Sequence, residues 1–287
     1  MALPKYTEPH YRIWHYVYIF ICTCVFFFLI APLFVIFPLS FNAEEFLSFS
    51  EGMKNLDPDA FSLRWYKDMI YGTKNPWGLA AKNSFIIAIF ATLGSVLLGT
   101  VAALGLSSRH MPYKGLIMAT LISPMIVPLI ISGVAIFFFM AKAGLAATHT
   151  GIVLAHIILG TPFVVITVTA TLSGFDDSIT RAASSLGSTP TNTFFKITLP
   201  LITPGIISGA LFAFVTSFDE IVVILFVAGG DRNLTTIPLQ MWTGLREQLS
   251  PTIMAVATCL IVLSTLILIV TELLRRRSER IRGISAQ

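Results

Sequence analysis

The chain has 287 residues, of which 55% are apolar or aromatic and 12% are charged, about half of the roughly 25% charge usual in a water-soluble domain. With a mean hydropathy of +0.81, composition makes lipid the main solvent and excludes most soluble enzyme classes. Any cargo of separate catalytic domains is excluded too, because crossings of about 20 residues each would use up most of the length.

Six apolar runs are long enough to cross as helices and too long for strands: Trp14 to Leu39, Asn83 to Leu106, Leu116 to Met140, Gly151 to Leu172, Pro204 to Val227 and Thr252 to Thr271. The predicted fold class is therefore an all-α membrane protein with six transmembrane helices. The first run exceeds a signal-peptide core and has no small-x-small cleavage site after it, so it reads as a retained anchor. The chain divides into a terminus (1–13), a first crossing (14–39), an external loop (40–78), a core of five crossings (79–275) and a basic tail (276–287).

Counting Lys and Arg gives the orientation. Lys5, Arg12, Arg109, Lys114, Arg181, Lys196, Arg275, Arg276, Arg277, Arg280 and Arg282 fall on one side, and Lys54, Arg64, Lys67, Lys74, Lys82, Lys142, Arg232 and Arg246 on the other. Half of the second set sits in one long loop, which counts less, so both termini are placed in the cytoplasm. The arginine cluster of the tail reads as a stop-transfer and lipid-facing charge, with no nucleic-acid role.

Small residues recur at four-residue spacing in the second run (Ala91, Ser95, Gly99, Ala103) and in the fifth (Gly205, Gly209, Ala213), which predicts close helix–helix packing. Pro124, Pro128 and Pro162 free carbonyls that a neighbour or a wet cavity must satisfy. Cys22, Cys24 and Cys259 lie in apolar runs without metal-ligand spacing and read as small hydrophobic residues. The sequence contains no G-x-x-x-x-G-K-[ST] loop, no H-E-x-x-H and no G-x-S-x-G, so neither ATP hydrolysis nor hydrolase chemistry is expected of it. Nor is a metal or cofactor. His156 alone among the five histidines lies deep in a run, and reads as hydrogen-bonded structure before ligand or relay.

The connection 175–200 is polar without a disordered composition. Asp177 or Ser178 can cap a short helix through Leu186, Gly187 can end it, and Thr189-Pro190 can open a second one ending near Lys196. Ile179, Ala182, Ala183 and Leu186 give the first helix a small dry face suited to a protein groove. The string Arg181-Ala182-Ala183-x3-Gly187-x9-Ile197-x-Leu199-Pro200 resembles the EAA loop of permease subunits of bacterial binding-protein-dependent ABC importers, matching six of seven defined positions. Arg181 stands where that family usually has Glu, which implies an acid in the receiving groove.

Further segments are similar to the spermidine/putrescine branch of these permeases: Ser40-Phe41-Asn42, Phe61 through Tyr66, Ser217 through Val223, Ile237 through Trp242, and Ser250-Pro251. The loop from Ala43 to Ala60 is longer than in that branch, and its acids (Glu44, Glu45, Glu51, Asp57, Asp59) match no motif. The resemblance implies a type I importer permease fold in the bacterial inner membrane. It also implies docking of residues 178–196 into a separate ABC ATPase dimer, with ATP and Mg bound there and no cofactor on this chain. A second homologous permease and an extracytoplasmic substrate-binding protein complete the implied partners, and the cargo is a small cation such as putrescine or spermidine.

Asp219-Glu220 interrupts the fifth run, where a charge costs about 2.5–3.5 kcal/mol on insertion scales. About 15 residues at 1.5 Å each from Pro204 place the pair roughly 22 Å along the helix. At least one of the two is expected to line a path for a cationic substrate, with Phe218 and Trp242 adding cation–π contact. The alternatives are a carboxylate bonded to backbone or paired with Arg232 or Arg246, and Trp242 as an outer cap. Other cargoes (amino-acid derivatives, opines, anions) and a secondary transporter are the competing functions.

Overall fold

A computed structural model describes residues 8–72, 77–108, 110–174, 176–247 and 250–281, with backbone alone for 177, 247, 267–268 and 270–281. In the charge count, Lys5, Lys74, Arg109 and Arg282 fall outside the described residues, as does Phe175 of the connection 175–200. The helices group into two compact units, 1–76 with 243–287, and 77–242. This division differs from the 79–275 core drawn from sequence.

The first unit holds α1 (Pro9–Leu39), α2 (Glu51–Lys54), α3 (Arg64–Tyr71) and α13 (Thr252–Ile281). Helix α1 opens with a proline in its first turn, five residues before the expected start, because proline at that position forfeits no intrahelical bond. Two segments singled out in the sequence meet here. Trp65 Nε1 donates to the Asn42 carbonyl at 2.6 Å, Ser40 Oγ lies 2.7 Å from Tyr66 Oη, and Ser62 N donates to the Phe41 carbonyl at 2.7 Å. Asn42, fully buried, also donates to the carbonyls of Phe46 and Ser48, so the long acidic loop is folded around one amide. Thr252 Oγ1 donates to Asp68 Oδ2 at 2.8 Å and ties the start of α13 to α3.

The second unit contains α4 (Trp77–Ser107), α5 (Lys114–Ile126), α6 (Leu129–Lys142), α7 (His149–Ser173), α8 (Asp177–Ser185), α9 (Pro190–Thr193), α10 (Leu199–Asp219), α11 (Val222–Val227) and the start of α12 (Ile237–Glu247). Its centre is the mutual packing of α4, α7 and α10. The stripe Ala91, Ser95, Gly99 and Ala103 is buried, as are Gly205, Gly209 and Ala213. Val164 of α7 sits between them: a Cβ on Gly99 would lie 2.6 Å from the Val164 Cβ, and one on Gly209 would lie 2.8 Å from its Cα. Such approach is possible only without a side chain.

Two predicted crossings are not single helices. The run 116–140 breaks between Ile126 and Leu129 and bends by 104°, because Pro128 forces Val127 into extended backbone (φ −69°, ψ 136°). The run 204–227 breaks at Glu220, which is extended (ψ 129°) and restarts the chain as α11. Four described helices are long and apolar enough to cross a membrane, five if the bent pair counts once, against the six expected. In α13 the apolar described stretch is Thr252–Leu266. The second short helix of the connection 175–200 does not end near Lys196. It passes through a wide π turn at Phe194–Thr198 into α10, where Pro200 has no N–H to continue the ordinary ladder.

Candidate functional site: a cavity between two broken spans, and a protruding lever

Where α5 bends into α6, the segment Pro124–Leu129 faces Leu159 and Phe163 of α7 and the end of α10. Together with Val215, Thr216, Asp219, Glu220 and Ile221 they line an open cavity of about 650 Å³. The size suits a small-molecule site, for which roughly 300–1,000 Å³ is usual.

The adjacent acids have opposite surroundings. Glu220 is 6% exposed, and its carboxylate accepts from the backbone N–H groups of Val222, Val223 and Ile224 at 2.8, 2.9 and 3.2 Å. It is thus the cap of α11, holding three amides at a helix start that no other element satisfies. Of the alternatives left open by sequence, Glu220 takes backbone bonding. Helical phase could not reveal this, since the helix stops at Asp219. Asp219 is exposed and, among the described residues, has no hydrogen bond or ion pair.

His156 stands behind Glu220, 1% exposed, with Nδ1 2.8 Å from Ser217 Oγ and Nε2 3.9 Å from Glu220 Oε2. Nε2 has no hydrogen-bond partner. A proton on Nε2 presents N–H to the carboxylate and leaves Nδ1 to accept from Ser217. Phe218 is turned toward Phe214 and Phe85, at 5.6 and 5.2 Å between ring centroids, and is not among the cavity residues. Trp242 lies on α12, 41% exposed, and is also outside the lining. The sequence marks Pro124 and Pro128 for their freed carbonyls, but Met125–Leu129 was not among the expected site residues.

In the connection 175–200, α8 is capped by Asp176, one residue before the expected cap, through Ser178 N at 2.8 Å. The Ser178 hydroxyl and amide, with Arg181 nearby, hold the Asp176 carboxyl below its ordinary range. Gly187 has φ +82°, and Ser188 N returns to the Ala183 carbonyl at 3.0 Å, closing a left-handed helix stop. Thr189 caps the next turn through Asn192 N. Ile179, Arg181, Ala182 and Leu186 are exposed, Leu186 at 88%, while Ala183 is buried. Ile197 and Leu199 are half-buried and Pro200 is exposed.

Residues 95–280 match the family of binding-protein-dependent transport system inner membrane components. The chain belongs to this family. It is an inner-membrane, multi-pass permease of an ABC importer, a system that works with an ATPase and a binding protein, and it is not itself the ATPase. Permeases of this family carry no cofactor. The permease is 28% identical over 255 residues to the spermidine/putrescine transport system permease protein PotC of Haemophilus influenzae, covering 89% of this chain and 95% of that one. It is 32% identical over 269 residues to the putrescine transport system permease protein PotI of Escherichia coli K12, covering 90% of each. Its fold is similar to a chain of a bacterial ABC transporter involved in import of the acidic polysaccharide alginate, with TM-score 0.70, 16% identity, and coverage of 96% of this chain and 99% of that one.

Proposed function

We propose that this permease forms half of the translocation path of an ATP-driven polyamine importer. The supporting observation is Asp219, an unpaired carboxylate in a cavity lined by no Lys, Arg or His. A cation is the cargo such a site attracts; an anion would meet uncompensated negative charge. Likeness to PotC and PotI over about nine-tenths of the chain supports the same cargo class.

In this reading six crossings span the membrane: α1, α4, the bent α5–α6 pair, α7, α10 with α11, and α13. Both termini lie in the cytoplasm, residues 40–78 lie outside, and 276–287 form the basic cytoplasmic end. A second, distinct permease supplies the other half of the path. Two ATPase copies seat the α8 levers through Ile179, Ala182, Leu186 and Arg181, with Gly187 fixing the exit and Ile197, Leu199 and Pro200 joining the lever to α10. Closure of the ATPase dimer on ATP draws the levers together and turns the cavity outward to receive cargo from the binding protein.

Uptake of labelled putrescine by cells lacking their own polyamine importers tests this. Expression of the permease pair, ATPase and binding protein restores uptake, and omission of the ATPase abolishes it. Uptake by this chain alone, driven by an ion gradient, would contradict the proposal.

A further inference from the structure

The two helix breaks are made by different means. At Pro128 the ring has no N–H to give, so α5 and α6 do not share an unbroken ladder. From Gly205 through Val227 the sequence carries no proline, and that break rests on the Glu220 side chain, which holds the amides of Val222, Val223 and Ile224. A continuous helix would direct the same three amides to the carbonyls of Phe218, Asp219 and Glu220, four residues back. The backbone therefore has two ways to satisfy these donors. In the second way the buried carboxylate loses its partners and needs a new one. His156 Nε2, on α7, has no hydrogen-bond partner and lies 3.9 Å from Glu220 Oε2, about 1 Å beyond an N–H···O bond. Its Nδ1 is engaged with Ser217 Oγ at 2.8 Å, so one ring touches α10 before the break and faces the residue that makes it. His156 and Glu220 are 1% and 6% exposed, and at such depth an unmade bond is costly. Beyond the break, α11 seats against α6: a Cβ on Gly133 would lie 3.1 Å from the Phe226 ring and 3.6 Å from Val222. Movement of α11 thus carries α6, whose Leu129 lines the cavity.

We propose that His156 is a positioning residue of the transport cycle, a catch that lets the break at Glu220 close. In the broken state the carboxylate caps α11 and Nε2 is idle. In the other state Glu220 turns helical, α10 and α11 join, and the three amides return to the backbone ladder. The carboxylate then moves onto the Nε2 N–H, and α11 draws α6 and one wall of the cavity with it. This rests on the reading of the permease as alternating between two states, and adds the element that has them.

The test uses the complete transporter in proteoliposomes, with its binding protein and putrescine. His156→Asn keeps an acceptor for Ser217 and removes the donor at Nε2, whereas His156→Gln places an amide donor near Nε2. In His156→Asn the maximal import rate falls about tenfold, the worth of one hydrogen bond to a charged group, while the binding-protein concentration for half-maximal import is unchanged. His156→Gln recovers most of the rate. Equal rates in the two variants, high or low, overturn the catch. A second measurement leaves His156 intact. With Cys22, Cys24 and Cys259 replaced by Ser, nitroxides on Leu211→Cys and Leu225→Cys, both exposed positions, read the span of the break. A continuous helix gives about 21 Å plus the label arms, at 1.5 Å per residue. That distance appears in one of the nucleotide-free and ATP-trapped states and not in the other. One unchanged distance in a transporter that imports putrescine overturns the catch and leaves the proposed function standing. A wild-type transporter that imports no putrescine on ATP overturns the reading beneath it.

Discussion

Two regions of the same unit, one tightly packed and one broken, are built by opposite means. Where α4, α7 and α10 meet, glycines, alanines and a serine bring backbones together around the fully buried Val164. Around the cavity, Pro128 and Glu220 stand at the two helix breaks. Lipid tolerates broken backbone only where protein or a wet cavity receives it, which on the proposed reading makes the tight region the frame and the broken one the path.

The largest effect should come from breaking the frame. Gly209→Val places a branched side chain against Val164 and the Thr167 hydroxyl, where even one methyl has no room. Overpacking costs about 1–3 kcal/mol in a core that can shift, and more against backbone. Detergent-purified complex should be recovered in much lower yield and melt earlier; an unchanged melting profile would place the glycine outside the contact.

Glu220→Ala comes next. It strips the cap from three amides at a buried helix start, at about 1–3 kcal/mol, whereas Glu220→Gln keeps an oxygen and loses less. Melting temperature and uptake should fall in that order. Equal effects of the two variants would mean that charge, not capping, is what Glu220 supplies.

Gly187→Val sharpens the comparison from outside the membrane. At φ +82° a β-branched residue costs about 1–3 kcal/mol, which tilts the lever without touching frame or cavity. ATP hydrolysis should persist while import fails. Full coupling in this variant would remove the lever from the mechanism.

The smallest effect is expected at Asp176, exposed at the start of the same lever. Its carboxyl is depressed in the folded chain, so its contribution is present above the ordinary carboxylate range and lost as pH falls through the lowered value. Asp176→Asn should lower coupling slightly at neutral pH, where the carboxylate contributes, and flatten the fall of a coupling-against-pH curve at the acid end.

Much of the frame was legible because small residues at four-residue spacing leave a pattern that needs no partner to be read. Cap and stop of the lever were legible within one residue for the same reason: Gly187 and Thr189-Pro190 are local signals. The cavity was not. Asp219 and Glu220 look equivalent in sequence, and a helical wheel drawn through them assumes the helix that Glu220 itself ends. The bend at Pro128 was visible as freed carbonyls, but its direction depends on packing against α7, which no local pattern encodes. Likewise, Ser40-Phe41-Asn42 and Phe61 through Tyr66 were noticed separately, and only the fold shows them closing on each other.

The most direct test of the broken region as the path is thiol labelling at Thr216. In a background with Cys22, Cys24 and Cys259 replaced by Ser, Thr216→Cys in the complete transporter should react with a small water-soluble thiol reagent. Its rate should change between nucleotide-free and ATP-trapped states, and its modification should stop putrescine uptake. A cysteine there that stays unreactive in both states, or that reacts while uptake continues undiminished, would contradict the account.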